Sequence, residues 1–147
     1  MAGASAPIDI EIDDREIRDG LRALRDKLGD LRPFYQDLGG ALLDSTRRRF
    51  ETQTAPHGSP WAALSPGYKQ RKKKHKDLVL TLDGYLRGTL DYRATKDELR
   101  VGTPLTYGAA HQFGRPEIHL PARPFLGLSD DDRQDALDIL AEWLQAE

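Results

Sequence analysis

The clearest apolar stripe in the chain is Ile17, Leu21, Leu24, Leu28 and Leu31, spaced as one face of a helix, with Asp13 or Asp14 placed to cap its first turn. Ile8, Ile10 and Ile12 precede it and alternate with acids, the period of a short half-buried strand or, equally, of an extended arm. Gly29 and Pro33 interrupt the stripe. Because proline is tolerated in a first turn, a second helix or a kinked continuation starts there. Its expected buried face is Phe34, Leu38, Leu42 and Phe50, despite Gly39 and Gly40, each of which weakens a helix by about 1 kcal/mol relative to alanine.

Turn formers dominate residues 52–66, yet Trp61 and Leu64 lie among them, so this loop is expected to be pinned by its aromatic residue. Ser65 and Pro66 then open a short helix, and residues 78–82 are too few to assign. Leu90, Tyr92 and Ala94 alternate, as do Leu99 and Val101, and the polar link 95–98 predicts a hairpin between them. Residues 106–113 predict a short helix closed by Gly114, followed by a proline-containing loop to Pro124. Ser129 and the three aspartates after it predict a strong helix start, since a hydroxyl caps free amides and acids favour the positive end of the helix dipole. Ala136, Leu137, Leu140, Ala141 and Leu144 share a face of that helix, with Trp143 beside them.

At 147 residues the chain has room for one domain and for no second, catalytic one. Charged residues reach 31% against 38% apolar, which leaves much of the surface to solvent or partners. The absence of cysteine removes disulfides and thiolate metal sites and agrees with a reducing cytoplasm. No apolar run is long enough to span a bilayer, and residues 1–7 lack the basic start and apolar stretch of a secretory signal, so a soluble protein without a membrane partner is expected.

A net charge of −2 hides an uneven distribution. Every charged residue of 69–76 is basic: Lys69, Arg71, Lys72, Lys73, Lys74 and Lys76. After Ser129 the balance reverses, with Asp130, Asp131, Asp132, Asp135, Asp138, Glu142 and Glu147 against Arg133 alone. Opposed charged regions suit head-to-tail association of copies. The basic run has three readings: a solvated surface, a contact with an acidic protein surface, or a contact with DNA that would be strongly salt-dependent. Only Tyr68 accompanies it, so it offers no stacking platform for single strands.

Candidate chemistry is thin. His57, His75, His111 and His119 are scattered, none at the paired spacing of a helical zinc site, and no Gly-x-Ser-x-Gly occurs. Gly102, Gly108 and Gly114 lie too far apart for a phosphate loop. Helix capping accounts for the acids at 13–14 and 130–132. The expectation is therefore no catalytic residue, no metal and no cofactor.

Several landmarks recur in order over about half the chain. They are Phe50; Pro56, His57 and Gly58 with Trp61 and Leu64; Tyr68 ahead of the basic run; Leu80, Thr81, Leu82, Asp83 and Gly84 with Leu86 and Arg87; and Val101 and Gly102. Tyr107 then leads into His111, Gln112, Phe113 and Gly114, and residues 121–129 read Pro-Ala-Arg-Pro-Phe-Leu-Gly-Leu-Ser. Together they resemble the phage virion morphogenesis family, which includes tail-completion proteins of Mu-like and related phages. Asp83 departs from the family's Leu-x-x-Thr-Gly pattern, although aspartate and threonine both start turns.

The resemblance implies an α+β subunit, a small antiparallel sheet packed by amphipathic helices with long loops; by length it is a single domain over residues 1–147, and by their alternation residues 1–12 are an extended arm or edge strand. It implies a non-enzymatic subunit of a ring at the neck or the head-proximal end of the tail, six-fold by analogy with tail symmetry. Its partners would be itself and the adjacent head–tail connector and tail proteins, with non-specific proximity to DNA, in the host cytoplasm during assembly and then in the virion. Alternatives are a transient capsid-assembly factor and a DNA-contacting channel protein using the basic run. Phe50, Trp61, Tyr68, Gly84, Tyr107, Phe113, Gly114 and Phe125 are the expected structural anchors. The expected interface comprises the six basic residues with Asp130, Asp131, Asp132 and Arg123, whose guanidinium would pair with a neighbour's carboxylate or with the last helix of its own chain.

Overall fold

Asp14, rather than Asp13, caps the first helix: its carboxylate accepts the Ile17 N–H at 3.1 Å. The computed structural model describes residues 13–63, 85–104 and 107–146. The strand-like residues 8–12, the helix expected after Ser65, and residues 78–82 lie outside them. In chain order come α1 (Arg15–Leu28), α2 (Arg32–Thr52), α3 (Tyr85–Gly88), β1 (Asp91–Ala94), β2 (Leu99–Gly102), α4 (Tyr107–Phe113), a 3-10 turn (Pro116–Ile118) and α5 (Asp130–Gln145). The architecture is α+β, with an antiparallel hairpin whose register pairs Tyr92 with Val101 and Arg93 with Arg100.

Gly29 ends α1, its N–H reaching Arg25 O, and Pro33 lies in the first turn of α2, so the two residues divide two helices instead of kinking one. Leu28 is 40% exposed although it belongs to the apolar stripe, because the chain turns away immediately after it.

α2 is buried along two stretches and so joins two apolar clusters. Phe34, Tyr35 and Leu38 pack with Leu24 and Leu31 and with Ala136 and Leu140 of α5. Leu43 and Phe50 pack with Ala55, Trp61, Leu86, Leu90, Phe125 and Leu126. Phe34, Phe50 and Phe125 are fully buried, each contributing about 1.5–3 kcal/mol of transfer free energy. Leu42, expected on the buried face, is only half-buried, and Leu43 takes the deeper place in the second cluster. Gly39 lets the hairpin lie on α2, since a Cβ there would stand 2.5 Å from Tyr92 Cδ2.

α5 begins with a complete capping box. Ser129 Oγ accepts the Asp132 N–H at 2.9 Å, and Asp132 Oδ2 accepts the Ser129 N–H at 3.1 Å. Its last turn carries no cation, and α1 supplies one: Lys27 Nζ donates to the carbonyls of Trp143 and Leu144, each at 3.0 Å. Trp143 stands edge-on to Phe34, with centroids 6.3 Å apart, while its N–H donates to Asp37 at 3.0 Å. Ala141 is exposed, contrary to its expected place on the packed face, and Ile139 and Trp143 line the cluster instead.

Candidate functional site

Arg49 and Asp132 bridge the interior between α2 and α5. The Arg49 guanidinium donates to Asp132 Oδ2, with both side chains almost wholly buried, and its other amino group donates to Phe125 O at 2.7 Å. Ser45 donates its hydroxyl to the other oxygen of the same carboxylate. Burial pulls the Arg49 pKa down, against the opposing pull of Asp132.

The Phe125 carbonyl is one of three in succession held by side chains from separate elements. Trp61 Nε1 donates to Pro124 O at 2.7 Å, and Gln112 Nε2 donates to Leu126 O at 2.9 Å. The Gln112 carbonyl oxygen in turn accepts the N–H groups of Phe125 and Leu126, at 3.0 and 2.9 Å. Phe50 lies between the rings of Trp61 and Phe125, with centroids 5.2 and 5.7 Å away. Residues 124–126 are thus strapped to α2, to the loop after it and to α4, so three separate sequence landmarks form one unit.

Arg123 works inward. It is 4% exposed, and its guanidinium donates to Ala62 O at 2.9 Å and Ala63 O at 3.2 Å while its backbone N–H donates to His111 O at 2.6 Å. The partner-facing role expected of it is corrected by this geometry: carbonyls of the Trp61 loop occupy the guanidinium within the chain. Asp132 is corrected in the same way, being 2% exposed and held by Arg49 and Ser45. Asp130 and Asp131 are exposed on the first turn of α5. Phe113, expected as an anchor, is 60% exposed, because the short α4 turns Gln112 inward and leaves its neighbour outside. Gly114 closes α4 at φ +76°, and a Cβ there would stand 2.7 Å from Ala122 N. Tyr107 opens α4. Tyr68, Gly84 and the six basic residues lie outside the described residues.

Sequence reasoning missed Arg49 and Gln112. Arg49 sits seven residues after Leu42 on the expected apolar face, a signal masked by its place in the basic triplet 47–49. Gln112 was noted only as part of a landmark, and nothing local marks its amide as a reader of another segment's backbone.

The outward face of α5 is the opposite of this packed interior. Asp131, Asp135, Asp138 and Glu142 are exposed at spacings of four, three and four, one continuous acidic stripe. Arg133, the one cation of α5, turns away to Asp14 and Glu16 beside α1. These contacts raise the Arg133 pKa and lower that of Asp14. At its upper end the stripe borders an open groove of about 460 Å³, lined by Arg48, Thr52, Thr54, Asp131 and Asp135. Among the described residues no cluster of side chains suits a metal ion, and no helix is long and apolar enough to cross a membrane.

The described residues thus combine a buried polar strap with an exposed acidic face on α5. Residues 12–145 match the model of the phage virion morphogenesis family, and the chain belongs to that family. It is similar to the "Putative capsid assembly protein G" of Escherichia phage Mu, 30% identical with 97% of each chain covered. It is also similar to the Mu-like prophage FluMu G protein 1 of Haemophilus influenzae, at 30% identity over 76% of this chain and 77% of that one. FluMu G protein 2 of the same organism is 28% identical, over 94% and 96% of the two chains. No solved structure matches the chain. The role of this protein is in phage morphogenesis.

Proposed function

We infer that the chain is a non-catalytic tail-completion or head–tail joining subunit that assembles into a ring at the neck or the head-proximal end of the tail. The acidic stripe of α5 carries this reading. Four exposed carboxylates on one face repel each other, and no described cation pairs with Asp131, Asp135 or Glu142. A basic partner surface relieves that repulsion, and the same sequence supplies six cations within residues 69–76. A ring of identical subunits meets the requirement by setting the basic segment of one copy against the stripe of the next.

Charge reversal tests this directly. The triple variant Asp135→Lys, Asp138→Lys and Glu142→Lys is expected to lose self-association and head–tail joining. Adding Lys72→Glu, Lys73→Glu and Lys74→Glu in the partner copies restores both. Unchanged particle yield and unchanged sedimentation in the triple variant overturn the reading.

The phage Mu relative's name, a capsid assembly protein, favours a second reading, a factor that acts on capsid assembly and then leaves. Mass spectrometry of purified particles separates the two, since a ring subunit remains in the virion and a transient factor is absent. Electron microscopy of particles made without the protein then shows which intermediate accumulates: free tails and filled heads for a joining subunit, defective heads for a capsid factor.

A further inference from the structure

The hairpin has one packed face and one open face. Tyr92, Ala94, Leu99 and Val101 join the two apolar clusters, while Arg93 and Arg100 stand opposite each other on the exposed side. Like charges placed directly across a strand pair destabilise it. Glu98 approaches Arg100 at 3.3 Å, and no described carboxylate pairs with Arg93.

Among the described residues β2 also has an unpaired edge. Thr95 N–H bonds Glu98 O, so ladder bonds fall on alternate residues, and the N–H and C=O groups of Leu99 and Val101 point away from β1. Among the described residues nothing bonds those groups, and β2 packs chiefly on β1 and α2. Such an edge is a template for one more strand.

The sequence holds a matching pattern that no described element absorbs: Ile8, Ile10 and Ile12 alternating with Asp9 and Glu11. Beside β2, with the isoleucines on the side of Leu99 and Val101, this alternation brings Asp9 and Glu11 onto the face of Arg93 and Arg100. The opposite phase would press two carboxylates against α2, so burial and charge select the same register parity.

We propose that residues 8–12 of one copy add as a strand to β2 of a neighbouring copy. The strand exchange rests on the self-assembling reading above, in which a neighbouring copy supplies the segment.

Because the chain has no cysteine, single substitutions report alone. Glu11→Cys and Arg100→Cys proteins are purified separately, mixed and oxidised. A mixed disulfide dimer is expected, lost when Ile10→Asp is added to the Glu11→Cys chain and absent when Arg22→Cys, on the exposed side of α1, replaces Arg100→Cys. No mixed dimer above the Arg22→Cys control overturns the proposal. So does a disulfide that forms only within a chain carrying both cysteines. If the Ile10→Asp chain still self-associates while the triple α5 variant does not, strand exchange falls and the ring reading stands; if neither substitution lowers association, both fall.

Discussion

Arg49 on α2 donates to Asp132 on α5 while Asp132 also closes the capping box at the start of its own helix. One carboxylate therefore caps the start of a helix and neutralises a buried cation at once. Removing one partner of such a pair strands the other charge away from water. Asp132→Ala is expected to destabilise the fold by about 3–5 kcal/mol. For a chain of this size that lowers Tm by on the order of 10 °C. Asp131→Ala, one residue earlier but exposed, is expected to change stability by less than about 1 kcal/mol. Urea denaturation of the two variants checks the contrast, and equal losses would contradict the buried pairing.

Gly39 and Gly40 are adjacent in α2 and opposite in consequence. A Cβ at Gly39 meets Tyr92 and Leu99 side-chain atoms at 2.5–2.9 Å, whereas a Cβ at Gly40 meets nothing within 4 Å. Gly39→Ala is expected to cost about 1–3 kcal/mol by pushing the hairpin off the helix. Gly40→Ala is expected to stabilise by about 1 kcal/mol through helix propensity alone. Thermal melts of the single variants distinguish the two signs.

Gln112 answers three backbone groups of residues 125 and 126 with one amide. Gln112→Leu fills similar volume without hydrogen bonds and is expected to cost at least about 2 kcal/mol. The loss should appear first as faster amide exchange at Phe125 and Leu126, read by hydrogen exchange, before any change in α1.

His111 lies beside Arg123, and burial first, then that cation, hold its pKa below the ordinary 6.5. The folded chain therefore keeps the imidazole neutral where the unfolded chain takes up a proton. The neutral site's contribution is complete above pH 6.5 and is lost as the pH falls below that value toward the folded-state pKa. Melting temperature is expected to fall with pH through this window, with a shallower slope in His111→Gln. An unchanged slope in that variant would contradict the assignment.

Local and periodic features were legible in the chain because their causes are local. Asp14 and Ser129 are caps whose partners lie within three residues, and the apolar positions of α1 and the alternation of β1 and β2 record which side of each element is buried. Gly114 likewise announced the end of α4.

What only the tertiary structure decided is where polar side chains point. Arg123 and Asp132 carry the charge that marks a surface residue, yet both are buried, because carbonyls 61 and 60 residues away for one and a guanidinium 83 residues away for the other replace their water. Phe113 has the composition of an anchor, yet lies outside because its short helix can turn only one of Gln112 and Phe113 inward. Sequence alone determined α1, α2, the hairpin, α4, α5, the family and the presence of opposed charge. Which acids remain on the surface depended on long-range hydrogen bonds, and these leave no periodic trace in the chain.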